Sequence, residues 1–321
     1  TRAPIGRAML ATFQVGQSIQ SRPRGSSTSH RIVAARITRY SSWIISYVDK
    51  FRRQSMQLSR QMILSVSAAF LIGACSQSEP EAPVSAEPAM EAAAEMEQDL
   101  TAILSSDTRS EEDRARDASR KPSEVLDFLG IETGMDLVDL MAAGGWYSEV
   151  LSLTVGADGS VAAQNPPFIL AFRDGANGIA LDKRIGARLT NVTRVDSSWA
   201  ELGASGAQYD AAISALNIHD AYYLQSPEAA AEMLSSTYAV LKPGGVLGII
   251  DHNGNAGADN NALHRIEKSL AIELALAAGF LIEGDSSLLS NSGDDHTLMV
   301  FDEGIRGKTD RFLLKLRKPA S

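Results

Sequence analysis

The sequence predicts an α/β fold: a mostly parallel sheet with helices on both faces. Three observations predict it. Short apolar runs alternate with amphipathic segments from residue 99 onward. The runs are apolar throughout, as strands covered on both faces require. A glycine turn, Gly144-Gly145, follows the first acid-tipped run at Asp139 and leads into an amphipathic segment (Tyr147, Val150, Leu151, Leu153). Strand, tight turn and helix in that order present backbone N–H groups and a helix N-terminus to a nucleotide-like ligand.

The elements follow in order. Ser110-Glu111-Glu112-Asp113 starts a helix, with acids in its first turn. Pro122 opens a second helix and Gly130 stops it. The first strand spans residues 135–140 and a helix spans 146–154. A turn at 156–159 leads to a short second strand, 161–164. Residues 168–188 are mostly helical, weakened by Gly175 and Gly178. Strands three and four cover 192–195 and 211–216. An Ala-rich helix covers 227–241, and Pro243-Gly244-Gly245 turns into strand five, 246–251. A helix over 261–278 is closed by Gly279, and 280–283 and 312–316 form a final pair of strands. The segment 284–310 is long and polar for a plain connection, which reads as a functional loop. No internal repeat is present.

The chain has 321 residues, 44% hydrophobic, with a net charge of −9. Residues 1–55 carry ten Lys or Arg against one acid, Asp49. They read as disordered or as an upstream extension of the reading frame; a basic nucleic-acid arm has nothing else behind it. Met56 is the more natural start. Arg60, the apolar run 62–71 and small residues then form a secretory signal, too short for an ordinary membrane span. Its end, Ile72-Gly73-Ala74-Cys75, resembles the lipobox of bacterial lipoproteins. That resemblance implies a lipid on Cys75, the chain's only cysteine, so no disulfide is available. With Ser76 and no Asp after it, it also implies the periplasmic face of the outer membrane. Residues 76–98 are Pro, Ala, Ser and Glu, a tether that cannot bury a core. From Cys75 onward 19 basic residues face 38 acidic ones, a net charge of −19. That sign repels phosphate backbones and argues against nucleic acid as a partner. The membrane is then met only through the lipid, and the oligomeric state is open.

Over residues 99–319 the chain resembles the class I S-adenosylmethionine-dependent methyltransferases. The resemblance rests on Val138-Asp139-Leu140 with Gly144-Gly145, on Leu241-Lys242-Pro243-Gly244-Gly245-Val246-Leu247, and on Ala277-Ala278-Gly279-Phe280. Gly144 to Glu149, Asn217-Ile218-His219, Asp251-His252 and Asp310-Arg311-Phe312 are similar to a bacterial group of exported methyltransferases. The resemblance implies a Rossmann-like, seven-stranded sheet with the last strand antiparallel, S-adenosylmethionine as cofactor and a methyl acceptor, here a small molecule. The chain departs from the family where glycines are usual: Met141 and Ala143 stand there. A nicotinamide dehydrogenase is disfavoured, because positions 143, 146 and 148 hold Ala, Trp and Ser rather than the Gly-x-Gly-x-x-Gly glycines.

The resemblance places Asp139, Ala143, Gly144 and Gly145 at the methionine part of the cofactor. Asn165 falls at the ribose, Asp196 to Ser198 at the adenine side, and Asn217 near the reactive end. For Asp139 the plainer alternative is an acid that only shapes the turn. His219 is the first candidate general base, because imidazole moves a proton near neutral pH, with Asp220 to orient it. The alternative is a capping Asp220 and a His219 bonded to backbone. His252 is the second candidate for acceptor contact. Asp294, Asp295 and His296 could join His252 on a metal, but the spacing is not diagnostic, and no metal is assigned. His264-Arg265 reads as a solvated or structural pair, and Lys315, Arg317 and Lys318 as a solvated strand edge. A non-catalytic, small-molecule-binding lipoprotein that keeps the fold is the second functional reading.

Overall fold

The computed structural model describes residues 100–320. The expected leader, the lipobox Cys75 and the tether lie outside the described residues. Among the described residues no helix is long and apolar enough to cross a membrane.

Seven strands form one sheet in the order β3-β2-β1-β4-β5-β7-β6. They are β1 (Asp136–Leu140), β2 (Ser160–Asn165), β3 (Val192–Asp196), β4 (Tyr209–Ala215), β5 (Leu241–His252), β6 (Leu281–Ser286) and β7 (Arg311–Arg317). The pairs from β3 through β5 are parallel, and β7 runs antiparallel between β5 and β6. This is a Rossmann-like, seven-stranded sheet with its last strand antiparallel, the fold that the resemblance implies. Strand order reverses between β1 and β4, and the crevice beyond their C-terminal ends is where open α/β sheets bind ligands.

Among the described residues, residues 100–104 are helical, and the short helices α1 (Glu111–Ala115), α2 (Asp117–Arg120) and α3 (Pro122–Leu129) follow before the sheet. Ser110 caps α1 by accepting from Asp113 N. Then come α4 (Trp146–Val155), α5 (Pro167–Ala171), α6 (Ala176–Arg188), α7 (Trp199–Gly203), α8 (Ile218–Asp220), α9 (Pro227–Val240), α10 (Asn260–Leu263) and α11 (Lys268–Ala277). Strand alternation divides the core. Val138, Leu140, Leu247 and Ile249 pack with Met233, Leu234 and Ala271 on one face. Leu137, Ile213 and Ile250 pack with Leu126, Leu129 and Val150 on the other. By the same alternation Asp139 points to the α3–α4 face. There α3 lies so close to β5 that a Cβ on Gly248 would sit 2.5 Å from Leu129 Cδ1.

Four expectations change. The helix over 168–188 is broken at Arg173 and Asp174, both left-handed, before α6 begins. The helix over 261–278 is two helices: His264 takes a left-handed φ of 53° and Arg265 turns inward. The expected turn at Pro243-Gly244-Gly245 lies within β5 as an irregularity in its pairing with β4, held by Gly244 N donating to Lys318 O and Lys318 N to Gly245 O. Finally, β7 is an interior strand. Arg317 and Lys315 pair with Glu283, and Lys318 donates to Tyr238 O and Leu241 O and lies over the Tyr238 ring.

Candidate functional site

The loop from β1 into α4 is built by side-chain amides. Met141 and Ala143 hold φ of 51° and 50°, the left-handed region that glycine adopts freely and other residues resist. Three side-chain amides at two strand ends, those of β2 and β4, restrain them. Gln164 Oε1 accepts from Met141 N and Gln164 O from Ala142 N. Asn165 clasps Ala143 from both sides, its Oδ1 accepting from Ala143 N at 2.8 Å and its Nδ2 donating to Ala143 O at 3.3 Å. Asn217 Nδ2 donates to Leu140 O at 2.9 Å. Gly145, at the start of α4, has φ of 81°, and a Cβ there would meet Leu181 at 2.7 Å. It is therefore glycine for conformation and for space together.

Beside this loop opens a cavity of about 890 Å³. It lies at the C-terminal ends of β1 and β4, between α1–α2 and α6, and its size is that of a small-molecule site. Asp139, Ala143, Gly144, Tyr147 and Asn217 line it, as do Arg120 and Arg184. Asp139 is buried and accepts from Ser148 Oγ at 2.6 Å. Burial pushes its carboxyl up to about 7, against the hydrogen bonds from Ser148 and the charge of Arg120. Arg120 stacks over Trp146, 4.4 Å from the ring centroid. Among the described residues its guanidinium has no hydrogen-bond or ion-pair partner, and burial lowers its pKa. The cavity thus carries an acid and an unspent cation that feel one another's charge. Burial pushes the Tyr147 phenol up to about 12, so it stays a neutral wall.

Helix α6 is fastened over the loop by Arg184. Its Nε donates to Gly144 O at 2.7 Å, and its guanidinium forks onto Asp113 at 2.7 and 2.9 Å and reaches Glu149. Arg188 also donates to Glu149. Burial raises the Asp113 carboxyl, but hydrogen bonds from Arg184 and Ser110 outweigh it and hold the group below the ordinary range.

At the ends of β4 and β5 a second constellation forms. His219 is buried, with Nδ1 2.7 Å from Asp251 Oδ1 and Nε2 3.2 Å from Asp220 Oδ1. Asp251 also accepts from the backbone N of His219 and of His252. Burial pulls the imidazole pKa down, but the charges of Asp251 and Asp220 and the hydrogen bond to Asp251 override it and hold it near 10. In this arrangement His219 keeps its proton near neutral pH rather than accepting one. His252 is the reverse: burial takes it down to about 3, and its Nδ1 meets Thr309 Oγ1 at 2.8 Å. The two rings are 5.9 Å apart, and neither is among the residues lining the cavity.

The other expected residues are placed as follows. Asn165 is fully buried, spends its amide on Ala143 and does not line the cavity. Asp196, at the end of β3, pairs with Arg194, and Ser198 caps α7 with Glu201 in a reciprocal box. Neither lines the cavity. Asp294, Asp295, His296 and His252 are not brought together. Asp294 forks onto the buried Arg265 at 2.9 and 3.0 Å, and the His296 nitrogens face Asn255 and Asp310. Arg265 is accordingly structural, not solvated. Sequence reasoning missed Arg120, Arg184 and Gln164. No motif marks the two arginines, which lie far from the loop in sequence; Gln164 was adjacent to a residue already singled out.

No family model matches the chain, and no curated protein sequence matches it. Solved structures similar to it include a SAM-dependent methyltransferase from Aquifex aeolicus, 20% identical, covering 61% of this chain and 89% of that chain with a TM-score of 0.44. An arsenic(III) S-adenosylmethionine methyltransferase from Chlamydomonas reinhardtii is 21% identical over 60% of this chain and 65% of that one, with a TM-score of 0.39. Fibrillarin from Aeropyrum pernix, solved with S-adenosyl-L-methionine, is 14% identical over 60% and 73%, also at 0.39.

Proposed function

We propose that this chain binds S-adenosylmethionine in the cavity beside the glycine loop and transfers its methyl group to a small acceptor. One observation carries the reading: one cavity at the β1–β4 crevice presents a buried carboxyl, Asp139, and the guanidinium of Arg120, which has no hydrogen-bond or ion-pair partner among the described residues. That pair suits an amino-acid zwitterion, the acid facing the ammonium and the arginine the carboxylate. The cavity volume suits a nucleoside-sized ligand. The donor, when bound, supplies an electrophilic sulfonium methyl. The residues around it then have mainly to position the reacting groups and exclude water. Ala143, Gly144 and the first residues of α4 line the cavity, Gly145 shapes the turn behind them, and Asn217 links the loop to the end of β4.

The second reading, a binding lipoprotein without catalysis, is favoured by the commitment of Asn165 to the loop, which leaves no side-chain acceptor there for a ribose. Release of S-adenosylhomocysteine separates the two. The full chain is incubated with donor and a low-molecular-mass cell extract. Product that disappears in Asp139→Asn supports the enzyme, and saturable donor binding with no product in any extract assigns the chain to the binding reading. The proposed address is the periplasm, lipid-anchored through Cys75. Palmitate label should enter the full chain and vanish in Cys75→Ala; label that persists in the variant contradicts the anchor.

A further inference from the structure

We infer that His219, Asp220 and His264 form a binding site for a zinc-type divalent cation, outside the cavity and independent of the methyl-transfer reading. His219 Nε2 lies 3.2 Å and His264 Nδ1 3.5 Å from the same oxygen, Asp220 Oδ1, and all three atoms fall within 4.8 Å of one another. Tetrahedral zinc with ligands at about 2.1 Å sets neighbouring donor atoms about 3.4 Å apart. The two distances to Asp220 are the edges of such a polyhedron before an ion draws in the third.

Three further features fit an ion rather than a plain hydrogen-bond cluster. Asp220 Oδ1 is buried and accepts no hydrogen bond, although both imidazoles are near it. A buried carboxylate oxygen without a donor is costly, and a cation would satisfy it. The other nitrogen of His219 is already committed, since Nδ1 faces Asp251 Oδ1 at 2.7 Å and a carboxylate can only accept. That fixes Nε2 as the coordinating nitrogen and supplies the carboxylate–histidine support that metal ligands use. Asp251 is itself anchored by two backbone N–H groups, so His219 is held in place. His264 sits in a left-handed conformation at the end of α10, which turns its ring edge-on to His219 at 5.8 Å between centroids. Non-glycine residues are held in that region where the surroundings overrule the strain.

Two imidazoles and one carboxylate select zinc, cobalt or nickel over magnesium or calcium. Three protein ligands leave a fourth position open for water or for a donor atom of a substrate. Asp220 and His264 are part-exposed, with side chains 25% and 29% accessible, so an ion exchanges without unfolding. Binding displaces the proton from His219 Nε2 into solvent.

The test uses the full chain, free of any tag, stripped with a chelator and titrated with zinc and cobalt chlorides. One equivalent should bind, and cobalt should develop the visible absorption of a four- or five-coordinate N/O site. Asp220→Asn keeps the side-chain size and His264→Ala removes a part-exposed ring, with circular dichroism reporting the fold of each. Each should weaken binding at least about tenfold, while His296→Ala, outside the cluster, should leave it unchanged. Absence of binding to the wild-type chain, or binding undiminished in both cluster variants, overturns the site.

Discussion

Met141 and Ala143 occupy a backbone region that costs a non-glycine residue about 1–2 kcal/mol. The amides of Gln164, Asn165 and Asn217 over-determine the loop and hold it there. Ala143→Gly should therefore raise stability by about 0.5–1 kcal/mol, the strain relief less the unfolded-state entropy of glycine. Urea unfolding measures it, and a less stable variant would contradict strain at this position. Asp139 sets a pH signature of the opposite kind. Its folded pKa, about 7, lies above the unfolded value of 3.8, so the folded state holds a proton that the unfolded state has lost. Its contribution is fully present below the unfolded pKa and is lost as pH rises toward 7, by up to about 4 kcal/mol. Asp139→Asn should abolish that decline, so thermal midpoints of wild type and variant should diverge as pH rises through this window. Parallel curves would show that Asp139 ionises freely.

At the scale of elements, α6 closes the cavity because one residue ties it to three others. Arg184 bonds Gly144 O, Asp113 and Glu149, and two of those partners are nearly inaccessible acids. Breaking a buried pair from one side leaves an uncompensated charge, worth about 3–5 kcal/mol. Here Arg188 remains on Glu149 and Arg116 lies 3.9 Å from Asp113, so Arg184→Met should cost about 2–3 kcal/mol. Proteolysis should then cut first within α6 or the left-handed break before it. A variant as stable and as protease-resistant as wild type would show that α6 is held by its apolar face instead. The broken helix at His264 follows the same logic: Arg265 leaves the helical path because Asp294, 29 residues away in sequence, offers a bidentate partner.

Across the whole molecule, the strands and the glycine loop were legible because each is coded locally, by an apolar run such as Leu137 to Leu140 or by the acid and glycines that follow it. The interior position of β7 was not, since Lys315 and Arg317 look like edge residues until Glu283 on β6 is seen beside them. The candidate site was half legible. Asp139, Gly144 and Asn217 line the cavity, but Arg120 arrives from a helix before the sheet. His264 reaches His219 only because β4 and β5 end side by side. The switch between β1 and β4 then explains why one crevice gathers Asp139, Gly144, Asn217 and Arg120. The most direct test is calorimetric titration of the full chain with S-adenosylmethionine across pH about 6 to 8, for wild type, Asp139→Asn and Arg120→Met. The account predicts one-site binding that tightens as pH rises through about 7 and Asp139 ionises, with both substitutions weakening it and Asp139→Asn flattening the pH dependence. No heat and no thermal shift at millimolar ligand, or binding indifferent to both substitutions, would contradict it.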